Sequence, residues 1–236
     1  MTDRSREASF QSVPDPTVVS ELVREIRQKL QQSGRPGGMK PAHVHHIGLD
    51  FVRKMRTGGL SLAMEVADPL WRSGNLEEGM VGGQIVAAMG RHIGGTEFDQ
   101  FDEWVGSLTN SANAESLASH IISRAVASKP SLVNKLLEWT QSANAWRRQC
   151  AILAFTPMVR EGRFISDSFS VAEKLLDDDD EIVQRAVGML FTEAARLRAD
   201  RVYEYLQQNK QSCRPLILSI ATQKLPNHQR SELLGT

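Results

Sequence analysis

The sequence predicts an all-α fold, a HEAT-like helical-repeat solenoid of stacked antiparallel helical hairpins, and three observations carry that prediction. Apolar residues recur at three- and four-residue spacing along most of the chain. Alternating Val- and Ile-rich runs, which would mark strands, are missing. The chain also repeats itself: a shift of 36 positions lays Trp146–Phe155 over Ile182–Phe191, and each segment follows a Leu-Leu pair (Leu136-Leu137, Leu175-Leu176) and a polar turn. A weaker copy runs from Leu70-Trp71 to GQIVAAM at Gly83–Met89. Repeat periods in the 30s and 40s with two helices each indicate a helical solenoid.

At 236 residues the chain has room for one such domain, expected over 17–236, with 1–16 as a disordered tail. Hydrophobic content of 41% supports a core, and no apolar run approaches the roughly 20 residues of a membrane helix. MTDRSREASFQSVPDP at the start has no apolar signal region, so a cytoplasmic location is expected. Cys150 and Cys213, far apart and in apolar helical contexts, suit reduced, buried thiols. The 28 basic and 28 acidic residues cancel, which excludes a generally basic nucleic-acid coat and confines any DNA contact to a local patch.

In chain order, Val18, Val19, Leu22, Val23, Ile26 and Leu30 give a helix over Thr17–Gln32, stopped by Gly34-Arg-Pro-Gly-Gly38. The cluster His43, His45, His46 with Asp50 lacks the further ligands a metal needs, and no metal or cofactor is expected. Gly48–Met64 reads as a helix broken near Gly58-Gly59, with a second helix running to Trp71. Glu77–Met89 is helical despite Gly79, Gly82 and Gly83, whose presence points to close helix approach more than to a ligand. Phe98, Phe101, Trp104, Val105 and Leu108 share one face of the next helix, and Leu117, Ala118, Ile121, Ile122 and Ala125 one face of the helix after it.

Trp139 then closes a helix, Thr140–Ala145 is a polar turn with Ser142 and Asn144 as candidate N-caps, and Trp146–Phe155 opens an inner helix broken in its apolar circumference only by Arg147, Arg148 and Gln149. The companions Cys150 and Leu153 predict that Trp146 is buried. Asp177–Asp180 reads as a cap for the following helix dipole rather than as a calcium loop. In Glu181–Arg196 a polar stripe of Glu181, Gln184, Arg185, Gly188, Thr192 and Arg196 opposes Ile182, Val183, Ala186, Val187, Leu190 and Phe191. LPNHQRSELL supplies a short closing helix.

From about Leu60 to Leu234 the chain resembles the DNA alkylation repair family of AlkC/AlkD-like glycosylases. The resemblance rests on ADPLWRSGNLEEG (Ala67–Gly79), W-x-x-S-x-N-x-W-x-R (Trp139–Arg148), RAVG (Arg185–Gly188) and KLP…R (Lys224–Arg230), in that order. It implies HEAT-like repeats wrapped around DNA and removal of cationic alkylated bases by an aromatic pair, a carboxylate and an arginine. By this resemblance the first aromatic and the carboxylate fall at Ser111 and Glu115, the arginine at Gln149, and the second aromatic at Met189; Arg147 and Arg148 stand just before the arginine position. Serine and methionine offer no ring face to a cationic base, while Glu115 keeps the charge that an oxocarbenium-like sugar needs.

The function expected is therefore binding of double-stranded DNA, alkylated or not, by a monomer. Trp146, Arg147, Arg148, Gln149, Arg185, Gly188 and Met189 form the contact set, and Glu115 is the one catalytic candidate. Arg196, Arg214 and Lys224 are further candidates for phosphate, and Gly188 would let a DNA strand lie close to the backbone. Glycosylase activity is expected to be reduced or lost at the substituted positions. Two other readings stay open: an adaptor that holds a protein partner in its groove, and a working glycosylase rebuilt around Glu115.

Overall fold

The computed structural model describes residues 13–33 and 39–235. Most of the predicted tail and the Gly34–Gly38 stop lie outside the described residues. Among those residues every regular element is helical, and they divide into two compact units, Met1–His92 and Ile93–Thr236. No described helix is long and apolar enough to cross a membrane.

The first unit holds α1 (Pro16–Ser33), α2 (Pro41–Lys54), α3 (Gly59–Arg72) and α4 (Leu76–Ala88). α1 buries Val23, Ile26 and Leu30, one stripe of the predicted face, while Val18 stays exposed. α2 begins earlier than Gly48, because Pro41 occupies its first turn, where a missing N–H costs nothing. The histidine cluster is thereby helical, and His45 Nδ1 meets Gln84 of α4. Asn75 caps α4 by accepting from Glu78 N at 3.0 Å. A Cβ on Gly82 would stand 3.3 Å from Trp71 Nε1 and 3.5 Å from Leu70 Cβ, so this glycine serves close packing of α3 on α4. Arg27 joins α1 to both, donating to Glu78 Oε2 at 3.0 Å and to the Pro69 carbonyl at 3.2 Å.

The second unit runs through α5 (Phe98–Gly106), α6 (Ser111–Leu117), a π-turn (Ala118–Ile122) and α7 (Ser123–Ser128). It continues through α8 (Val133–Trp139), α9 (Ala145–Leu153), α10 (Thr156–Arg160) and α11 (Ile165–Glu173), and closes with α12 (Glu181–Asn209), α13 (Pro215–Ala221) and α14 (Asn227–Leu234). The hairpin between α8 and α9 forms over the predicted polar turn: Asn144 Oδ1 accepts from Trp146 N at 2.9 Å, and Ser142 Oγ accepts from Asn144 N at 3.1 Å. α9 is the inner helix, in contact with α5, α6, α8 and α12, and Cys150, Ala151 and Ile152 are wholly buried. Trp146 departs from expectation. It sits in the first turn of α9, where the helix emerges from the core, and is only half-buried.

The acidic turn stands where its sequence reading put it, at the N-terminus of α12, and also serves a purpose that reading did not give it. Asp180 is the N-cap residue of α12, yet its side chain makes no capping hydrogen bond. The carboxylates are spent on arginines: Asp178 and Asp180 hold Arg148, and Asp179 holds Arg214. Arg198 (φ −143°, ψ 55°) is non-helical and divides α12 by a kink, so the segment that starts at Glu181 ends close to Arg196, where the polar stripe ends, and a second helical segment follows it to Asn209.

Candidate functional site

Glu115, the catalytic candidate, lies exposed on α6, one turn before the π-turn. In that turn the Ser123 N–H reaches back five residues to the Ala118 carbonyl. The extra residue widens the helix and takes the Ser123 N–H away from the Ser119 carbonyl, its usual α-helical acceptor. Side chains bond to the carbonyls of this segment. Ser123 Oγ donates to the Ser119 carbonyl at 2.6 Å, and Arg124 Nε donates to the His120 carbonyl at 3.0 Å. Ser119 Oγ in turn donates to the Leu153 carbonyl of α9 at 3.4 Å.

The widened segment forms one wall of a cleft of about 520 Å³. Glu115, Ser119 and His120 stand on this wall; Leu153 and Met158 lie across from them, and Met189 of α12 closes one side. Two sequence-predicted site residues from distant parts of the chain, Glu115 and Met189, thus meet in one cleft. Met189 is 43% exposed there. Arg160 and Arg163 stand at the rim, each already paired: Arg160 Nε with Glu193 at 3.0 Å and Arg163 Nη1 with Glu161 at 3.3 Å. The left-handed turn at Gly162 and Phe164 (φ 75° and 52°) places Arg163 there, with its guanidinium 5.6 Å from the Phe164 ring. Among the described residues, no Phe, Tyr or Trp lines this cleft. It offers a carboxylate, thioether and aliphatic contacts and several cations, and no ring face.

The remaining predicted residues are used in the framework. Arg148 is saturated. Its Nε and Nη2 take Asp178 at 2.6 and 3.1 Å, Nη2 also reaches Asp180, and Nη1 donates to the Ser142 carbonyl at 2.7 Å. Hydrogen bonding to Asp178 raises the guanidinium pKa further above its ordinary value. Arg147 pairs with Asp102 at 3.0 Å, donates to the Asp102 carbonyl and lies 5.9 Å from the Trp139 ring, pinning α9 to α5. Gln149 is buried, its amide 3.5 Å from the Ile182 carbonyl. These pairs and this amide tie α9 to α5, to the acidic turn and to α12.

Gly188, read as a place where a DNA strand lies close, is instead buried under α13; a Cβ there would fall 2.7 Å from Ile220 Cβ. Arg185 is exposed and paired with Glu181 of its own helix, and Arg196 with Glu193. Arg214 joins the acidic turn, donating to the Asp177 carbonyl at 2.9 Å, and Lys224 is exposed. Ser111 is exposed at the start of α6 and is not among the cleft residues.

Sequence reasoning missed the π-turn residues Ser119, His120, Ser123 and Arg124, together with Thr156 in the opposite wall. The i, i+4 pairing of His120 with Arg124 and of Ser119 with Ser123 was the only signal available. Cys150 is no nucleophile for this site: burial pushes its thiol far up, and Sγ points to the Ala114 carbonyl at 3.7 Å. No curated protein matches the chain. A family model described as DNA alkylation repair enzyme matches it over residues 20–225.

Proposed function

The chain belongs to the DNA alkylation repair enzyme family, and from that membership we propose that it binds double-stranded DNA, alkylated or not, as a cytoplasmic monomer whose base-excision activity is reduced or lost. The paired helices of the second unit act in this reading as HEAT-like repeats, and the cleft beside Glu115 faces the nucleotide. The observation that carries it is the meeting of Glu115 with Met189. The carboxylate that the family chemistry requires stands in a cleft with a thioether where a ring would grip a cationic base. Charge is retained and the aromatic grip is not.

The test combines two measurements on the purified protein. Fluorescence anisotropy with a short duplex, repeated from about 50 to 200 mM salt, should give affinity that falls steeply as salt rises. Incubation with duplex DNA carrying 7-methylguanine or 3-methyladenine should release no base above the spontaneous rate. Absent or salt-insensitive DNA binding would favour the protein adaptor. Robust release, abolished in Glu115→Gln with DNA affinity unchanged, would establish an active glycosylase built on Glu115.

A further inference from the structure

The arginines of the family-like motif are occupied, so the cleft's unengaged cation comes from elsewhere. Arg124 is exposed and makes one hydrogen bond, from Nε to the carbonyl of His120. Among the described residues it forms no ion pair, whereas Arg160 and Arg163 at the same cleft each hold a carboxylate. The bond through Nε fixes the plane of the guanidinium and leaves both terminal amines as a fork, the geometry that suits two oxygens of one phosphate.

Two further features point the same way. His120 lies on the cleft wall one turn before Arg124 and adds an imidazole. In the facing wall the Thr156 hydroxyl is buried without a hydrogen-bond partner, in a residue only 7% exposed. An unanswered buried hydroxyl is destabilising, and a polar group entering the cleft removes that cost. Glu115 sits on the other side of His120, one turn further back, so the carboxylate and the Arg124 guanidinium stand apart along this wall, while the cleft's other carboxylate, Glu161, is paired with Arg163.

We infer that the Arg124 and His120 end of this cleft is a seat for a phosphate oxyanion, which, on the DNA-binding reading above, is a phosphodiester of the bound strand. Arg124 supplies a bidentate contact, and Glu115, at the opposite end, repels the phosphate and fixes its register. The inference rests on the DNA-binding reading for the source of the phosphate and on Arg124 for the seat.

Arg124→Ala and Arg124→Lys are compared with wild type, circular dichroism confirming the fold, which a side chain exposed to this degree does not support. With duplex DNA, Arg124→Ala should lower affinity about five- to tenfold near 0.1 M salt and reduce the slope of log K against log salt by about one. Arg124→Lys should restore the slope and only part of the affinity. In a second arm, inorganic pyrophosphate is titrated while the His120 ring resonances are followed by NMR; they should shift in wild type and not in Arg124→Ala. DNA binding with unchanged affinity and slope in Arg124→Ala overturns the seat and leaves the DNA-binding reading standing. Absence of DNA binding with an Arg124-dependent His120 response overturns that reading and keeps the oxyanion seat, for a free phosphate source. Absence of both responses overturns both.

Discussion

Arg148 on α9 and Arg124 on α7 both belong to the second unit, and their surroundings differ in every respect that decides what an arginine can do. Arg148 is 14% exposed and faces Asp178, itself 7% exposed, Asp180 and a backbone carbonyl. Arg124 is exposed and holds one carbonyl through Nε. The motif-bearing arginine is a structural clamp between α9 and the acidic turn, and the arginine outside any motif faces the cleft. Motif position identified the inner helix, and the ion pairs of its cations were not legible from it, because a guanidinium is drawn to a nearby desolvated carboxylate.

Breaking the clamp is the severest test of this contrast. Arg148→Ala leaves the Asp178 carboxylate buried without its partner, and urea unfolding should show a loss of about 3–5 kcal/mol. Removing both partners should cost less than the sum of the single changes. A loss under about 1 kcal/mol would mean that Arg148 is free to turn outward. Gly188→Ala comes next, since its methyl would meet Ile220 at 2.7 Å and the Ile217 carbonyl at 3.3 Å. Overpacking against a backbone atom should cost about 1–3 kcal/mol, whereas a neutral result would reopen Gly188 as a surface position.

Trp146→Ala should fall lower, at about 1–2 kcal/mol, because the indole is half-buried and gives up only part of its transfer free energy. A loss of 3 kcal/mol or more would restore the buried placement that Cys150 and Leu153 suggested. Smallest of all is Arg185→Ala. Its partner Glu181 lies one helical turn away with both side chains more than half exposed, and the change in thermal stability should correspond to no more than about 0.5 kcal/mol. A DNA affinity lost in Arg185→Ala but kept in Arg124→Ala would reverse the comparison, placing the DNA contact on the α12 stripe.

The helical fold was legible because burial imposes its period on composition. Phe98, Phe101, Trp104 and Val105 are all buried, as their spacing required, and Asn144 caps the helix it was placed before. Helix starts were less legible where the signal was a lone proline, as at Pro41; after the acidic turn the start at Glu181 was legible, and the arginines that hold the carboxylates were not. Of the candidate site, Glu115 and Met189 were found through the resemblance. The π-turn was invisible, because inserting one residue per turn changes which carbonyls are free without changing the apolar pattern: Leu117, Ala118, Ile121 and Ile122 are buried through it without interruption.

The acidic turn has a consequence for how the second unit assembles. Arg148 reaches Asp178 across 30 residues, Arg214 reaches Asp179 across 35, and Tyr205 reaches the Phe169 carbonyl across 36. Arg147 to Asp102, at 45, is a longer step. Each of these ties closes a loop of a few tens of residues, and closure entropy grows only as about 1.5RT ln n. Contacts of such modest sequence separation favour fast folding, because neighbouring helices can pair without first bringing together distant parts of the chain.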